Sequence, residues 1–188
     1  MNPKGIKLDR GVILVSEPFM LDPNFRRSVV ILCDHTPDEG TVGFILNKPI
    51  QMTVNELIAD FPKFDATVHY GGPVATDTIH YIHRSGKILD DSIEIGDGIY
   101  WGGSFEKLKS LIESGLIKPQ DIRFYVGYSG WTSGQLDDEI EIGSWVLEEP
   151  DPNYVFQSKH EELWSQTLIN KGNTFSVISQ MPDSFNLN

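Results

Sequence analysis

The residues best placed to do chemistry run from Gly127 to Glu139, G-Y-S-G-W-T-S-G-Q-L-D-D-E. Three glycines in eight residues are interleaved with two aromatics and three aliphatic hydroxyls, and an amide and a carboxylate cluster follow. Such glycines let a backbone approach a ligand closely. A glycine turn entering a helix ordinarily suggests an anion held by free amides and the helix dipole. Here no Lys or Arg lies between Arg123 and Asp137, and Asp137, Asp138 and Glu139 fill the expected first turn. These acids complement the dipole themselves and repel phosphate, which leaves a neutral or cationic ligand, a protein partner, or a plain structural turn lidded by Trp131. Ser129 invites comparison with a nucleophile elbow, but in G127-Y-S-G-W the second glycine falls one residue early, where that motif needs clearance for its helix.

Cys33 and His35 are two apart in an apolar run. On a regular strand they share a face with Ile31, and a thiolate–imidazole nucleophile is the sharp possibility. A buried thiol with a backbone-bonded imidazole at the strand mouth is the ordinary one. His80 and His83, three apart in an expected strand, point to opposite faces. The sequence holds no C-x-x-C or H-E-x-x-H, so neither a metal nor a cofactor is expected. Asp90, Asp91 and Asp97 fall in turns without EF-hand spacing, where they cap or solvate the backbone.

Two further turns, Asn47-Lys48-Pro49 and Gly71-Gly72-Pro73, each end an expected strand. If they meet the Gly127 segment at one edge of the sheet, they form a neutral, hydrogen-bonding cleft. Asn47, Gly71, Gly72, Gly130, Trp131, Gln135, Glu139 and His35 are the candidate ligand-binding residues of that cleft.

Elements that would position these residues follow from periodicity and punctuation. Strands are expected at Gly11–Ser16, Ser28–Asp34, Thr41–Asn47, Thr67–Tyr70, Thr78–His83, Lys87–Leu89, Ile93–Ile95, Ile99–Trp101, Ile122–Val126, Ser144–Leu147 and Thr174–Ser179. Thr36–Gly40, Ser85-Gly86 and G96-D-G98 read as hairpin turns. Helices are expected from Thr53 to Phe61, where Thr53 and Glu56 have capping-box spacing, and after Ser104 up to Gly115. Others are expected from Leu136 to Ile142 and from Ser158 to about Lys171. Residues 180–188 read as a frayed tail. Hairpins outnumber strand–helix–strand units, which makes the pattern α+β.

The chain has 188 residues, of which 39% are hydrophobic. That suits one domain spanning 1–188, with ample material for a core. The longest apolar run, Val29–Cys33, has five residues, against the ~20 of a membrane-spanning helix. The N-terminus lacks the apolar core of a secretory signal, and a single cysteine forms no internal disulfide, so a cytoplasmic location is expected. A net charge of −12 argues against direct nucleic-acid binding, which draws its affinity from clustered Lys and Arg.

Several segments together resemble the YqgE/AlgH family of bacterial proteins. They are G11-V-I-L-V-S-E-P18, D22-P-N-F-R-R-S-V-V-I-L-C-D-H35, G43-F-I-L-N-K-P49, G71-G-P-V74 and G127-Y-S-G-W-T-S-G-Q-L-D-D-E-I140, followed by Trp145 and Trp164. The resemblance implies one α+β domain whose mixed, mostly antiparallel sheet folds into a pseudo-barrel flanked by three or four helices. It also implies a cytoplasmic protein without an established biochemical activity, some members being labelled transcriptional regulators. Ser129 stands where the family tends to have Ala, and Thr132-Ser133 where it tends to have Gly-Pro. The function expected first is non-enzymatic binding or regulation, exerted indirectly through a protein partner or a small neutral ligand. The alternative is a hydrolase or transferase using Asp137, Glu139 or His35 as acid or base.

Overall fold

A computed structural model describes residues 5–156 and 159–169. Ten strands form one sheet: β1 (Ile13–Ser16), β2 (Val29–Thr36), β3 (Gly40–Ile45), β4 (Pro49–Thr53), β5 (Thr67–Tyr70), β6 (Val74–His83), β7 (Ile93–Gly96), β8 (Ile99–Trp101), β9 (Ile122–Trp131) and β10 (Trp145–Glu148). Five α-helices are described: α1 (Val54–Leu57), α2 (Phe105–Glu113), α3 (Gln135–Glu141), α4 (Pro152–Phe156) and α5 (His160–Ile169).

The ladder runs β10-β1-β2-β3-β9-β6-β8-β7, with β4 and β5 off this path. Neighbours pair antiparallel except β5 and β9, which run parallel. The ladder is not closed. It nevertheless curls, because one core cluster unites Ile13 and Val15 of β1 and Ile31 of β2 with Ile95 and Ile99 of β7 and β8. A second cluster packs α2, through Leu108, Leu111 and Ile112, on Val68, Ile122 and Phe124. A third gathers Leu14, Leu32, Trp131, Leu136 and Trp145. Together these features make a single α+β domain with a mixed, mostly antiparallel sheet.

β9 organises the sheet. Its first half pairs with β5 on one side and β6 on the other, and its last residues pair with β3. The switch falls at Gly127, whose φ is +66°. This corrects the expected glycine loop. The strand continues through Trp131, and only Thr132–Gly134 turn into α3. The ladder to β3, with Thr41 opposite Trp131 and Val42 opposite Gly130, overrides the loop-like composition.

Other departures have local causes. The helix after Thr53 stops at Leu57 rather than Phe61. Glu56 does accept from Thr53 N at 2.7 Å. The Asn55 amide, however, donates to the Phe61 and Pro62 carbonyls, at 3.1 and 2.8 Å, and accepts from Phe64 N at 2.9 Å. Asn55 thereby holds 58–64 as a loop, the competition with helix that Asn is prone to. Lys87–Leu89 is not a strand: Leu89 N donates to Ser85 O at 2.9 Å, and β6 pairs with β8 instead. The G-D-G hairpin forms as expected, with Asp97 and Gly98 both at positive φ, the pattern of a two-residue turn. Ser104 caps α2, accepting from Lys107 N at 3.4 Å. Helix α4 was not expected. Ser158, the strand expected at Thr174–Ser179 and the expected tail lie outside the described residues. Among the described residues, no helix is long and apolar enough to cross a membrane.

Candidate functional site

The Gly127–Glu139 segment is built around Glu139. One carboxylate oxygen accepts from both indoles, Trp131 Nε1 at 2.9 Å and Trp145 Nε1 at 2.7 Å. The other accepts from Gln135 Nε2 at 2.9 Å, and Gln135 Oε1 accepts from Thr132 N at 3.0 Å. Phe25 completes the cluster, stacked on Trp131 at 5.7 Å and edge-on to Trp145 at 5.4 Å. Trp131 and Trp145 are buried. The structure thus brings Trp131, Gln135 and Glu139 together and engages their polar groups with one another.

Gly71 and Gly72 meet β9 backbone to backbone. A Cβ on Gly71 would stand 2.3 Å from Gly127 O, and one on Gly72 2.3 Å from the Tyr128 carbonyl carbon. Buried Ser129 donates from Oγ to Gly71 O at 2.9 Å, so its hydroxyl closes this crossing. Gly130 lies on β9 opposite Val42.

Asn47 sits at the other end of β3. At ~3.3 Å per residue, the six steps from Thr41 to Asn47 put it roughly 20 Å from the Trp131 pairing. Its amide donates to Arg27 O at 2.8 Å and accepts from Val29 N at 2.9 Å, pinning the start of β2. The eight candidates therefore do not line one cleft. They divide into the Trp131–Gln135–Glu139 cluster with Gly130 next to Trp131 on β9, the Gly71-Gly72 crossing, His35 on β2 opposite Thr41, and a remote Asn47.

His35 and Cys33 are separated by a β-bulge between Leu32 and Asp34. The extra residue flips the alternation. Cys33 faces the cluster containing Ile31, while His35 pairs opposite Thr41 and bonds its hydroxyl through Nδ1 at 2.8 Å. Burial also pushes the Cys33 thiol well above its ordinary pKa, against a thiolate. His35 instead lines a shallow depression of about 260 Å³ with Lys7, Asp137, Ile140 and Leu147.

A larger groove, about 370 Å³, opens where the chain leaves β8. Its walls are His80, Tyr81, Trp101 and Phe105, with Gly102-Gly103 between them and Asp91 and Ile93 at its side. The Tyr81 hydroxyl donates to Gly103 O at 2.6 Å and fixes that turn. Burial holds the His80 imidazole below its ordinary pKa, which keeps the groove's histidine neutral at pH 7. β8 pairs with β6 only at Ile82 and His83. The edge of β6 before Tyr81 therefore has no second strand beside it among the described residues. The sequence signal was present, as Trp101-Gly102-Gly103-Ser104 leading into a helix, but its partner wall on β6 is some twenty residues away and invisible to spacing.

Two further histidines, His69 and His160, pair. His69 Nε2 and His160 Nε2 stand 3.2 Å apart, and His160 Nδ1 contacts Leu46 O at 3.1 Å. The carbonyl can only accept, so His160 carries its proton on Nδ1 and His69 donates from Nε2. Burial, with the neighbouring imidazole and Arg123, holds the pKa of His69 down at about 3, and burial depresses that of His160 too. The unfolded chain then binds protons near pH 6.5 that the fold refuses. Stability contributed by this pair is present above pH 6.5 and is lost as the pH falls. Between pH 7.5 and 5.0, His69 should cost about 2 kcal/mol. Urea unfolding of wild type and His69→Gln at the two pH values checks this: the variant should lose less stability by that amount, and equal losses would contradict it.

An open, curled, mostly antiparallel sheet with five described helices defines an α+β protein whose groove lies at a strand edge rather than at a glycine loop. The chain belongs to the AlgH-like family, DUF179, which matches residues 13–176. It is 42% identical over 176 residues to a UPF0301 protein of Chlorobaculum parvum, covering 94% of each chain. It is 40% identical to a UPF0301 protein of Cytophaga hutchinsonii over 182 residues, 96% of this chain and 100% of that one. The solution structure of AlgH from Pseudomonas aeruginosa is similar with a TM-score of 0.72 at 26% identity, over 94% of this chain and 98% of that one. A Corynebacterium diphtheriae crystal structure shares the fold with a TM-score of 0.77 at 22% identity, covering 94% of each chain.

Proposed function

We propose that this is a non-enzymatic cytoplasmic binding protein that regulates indirectly, through a protein partner or a small neutral ligand held in the groove beside β6. The observation that carries this reading is the groove itself, with aromatic walls, an imidazole held below its ordinary pKa and, beside it, a stretch of β6 that no second described strand pairs. Such edges accept an extended segment of a partner, and aromatic pockets accept apolar side chains or rings. The groups that could have served catalysis in the Gly127 segment support it as well. Ser129 and Glu139 are engaged in holding the fold. The net charge of −12 favours an indirect route over contact with DNA.

Ile93 lines the groove and is 40% exposed, so Ile93→Glu places a charge there without opening the core. A metabolite thermal-shift screen and co-purification from lysate should give a ligand or partner with the wild type and lose it with Ile93→Glu. Retention of the same ligand or partner by the variant would exclude the groove.

A hydrolase or transferase is the second reading, favoured by the depression that brings His35, Asp137 and Lys7 together. Following turnover of each compound in the same screen separates the two readings.

A further inference from the structure

The registers of β5, β9 and β6 bring basic residues from distant parts of the sequence onto one face. His69 and His80 each pair with Tyr125, and Ile82 pairs with Arg123. Directly opposed residues share a face, as do residues two apart. His69, Arg123 and Arg84, the last just beyond β6, therefore rise on the same side. There they meet the segment carrying α4 and α5. The Arg84 guanidinium lies 4.3 Å over the Phe156 ring, and Arg123 Nη2 donates to Phe156 O at 3.2 Å. His160, the first residue of the ten-residue α5, stands against His69.

Neither arginine forms an ion pair with a described residue. The described pairs are Arg10–Asp34, Lys107–Asp90, Lys109–Glu106 and Lys159–Glu162. The nearby Asp121 carboxylate turns away to accept from Lys118 N at 3.2 Å. Among the described residues, Arg123 Nε is buried and without a partner. In a chain of net charge −12, two arginines that both contact Phe156 and have no carboxylate partner among the described residues, one holding an unsatisfied buried donor, call for an anion.

We propose that Arg84 and Arg123 form a binding site for a phosphate-class oxyanion, either inorganic phosphate or the phosphate group of a small monoester. The guanidinium forks supply planar donor pairs that fit a tetrahedral oxyanion. This site is separate from the groove beside β6, and neither depends on the other.

The test titrates the whole chain with sodium phosphate, and separately with glycerol phosphate, by isothermal calorimetry and thermal unfolding, with ionic strength held constant by sodium chloride. Saturable binding and a rise in Tm are expected. Tighter glycerol phosphate places a monoester at the site, and tighter inorganic phosphate the free ion. Arg84→Gln, at an exposed position, should fold normally and bind about tenfold more weakly. Lys109→Gln, on α2, should bind like wild type. A Tm rise reproduced by sodium chloride alone, or full affinity in Arg84→Gln, would overturn the site.

Discussion

Replacing Gly71 with Ala is expected to prevent folding or to cost at least ~4 kcal/mol, the range reserved for backbone strain and severe overpacking. The new Cβ would meet Gly127 O at 2.3 Å, Phe44 Cδ1 at 2.9 Å and Tyr125 Cβ at 3.1 Å. A side chain facing it could rotate aside, but the first contact is backbone held in the β9 ladder, and Gly71 N and O are themselves bonded to Val126 O and Ile45 N. Relieving the clash therefore means separating β5 from β9. Gly72→Ala should behave alike, since it adds a φ of +151° to a 2.3 Å approach. Gly130→Ala is the control. Its Cβ would meet the Tyr128 ring at 3.2 Å and little else, so a cost under about 1 kcal/mol is expected. Soluble yield and urea midpoints of the three variants check the ranking, and a Gly71→Ala protein as stable as Gly130→Ala would contradict it.

Glu139→Ala is expected to cost about 3 kcal/mol, because it orphans two indole N–H groups at once, each worth about 1–3 kcal/mol when left unsatisfied. At ~2–4 °C per kcal/mol for a domain of this size, Tm should fall by roughly 6–12 °C. Glu139→Gln should recover much of the loss, since its amide oxygen still accepts from both Trp131 and Trp145 while its NH₂ opposes that of Gln135. Near-UV circular dichroism of the tryptophans gives a local readout: Ala should flatten the signal and Gln retain it. An alanine variant within 1 kcal/mol of wild type (about a fivefold change in the folding equilibrium) would show that the carboxylate is not the clamp.

Much of the architecture was legible because local rules and tertiary structure agreed. The β2–β3 hairpin, the G-D-G turn and the Ser104 cap of α2 each carry their signal within a few residues. The glycine-rich half of β9 was not legible as strand. Gly127, Ser129 and Gly130 are poor strand formers, and what makes them strand is the pairing with Val42 and Gly43 and the crossing of Gly71, more than fifty residues away. The Cys33 bulge was hidden for a related reason: alternation alone puts Cys33 and His35 on one face, and only the register against β3 reveals the extra residue. The candidate site fared worse. Trp131, Gln135 and Glu139 do meet, but their partners are one another. The groove residues His80, Tyr81, Trp101 and Phe105 are joined by the β6–β8 pairing, and Arg84 and Arg123 by β6–β9, neither of which composition announces.

The position of β9 in the ladder also constrains how the chain can assemble as it is made. Eight strands precede it, yet β3, β5 and β6 each lack their second neighbour until residues 122–131 emerge, and β1 awaits β10 later still. A nascent polypeptide therefore leaves the ribosome with several bare ladders at once. It should acquire its shape late and nearly all together, on the slow millisecond-to-second timescale of non-local β topologies. Truncation anywhere before Trp131 should then yield a sticky, aggregating fragment rather than a smaller folded unit.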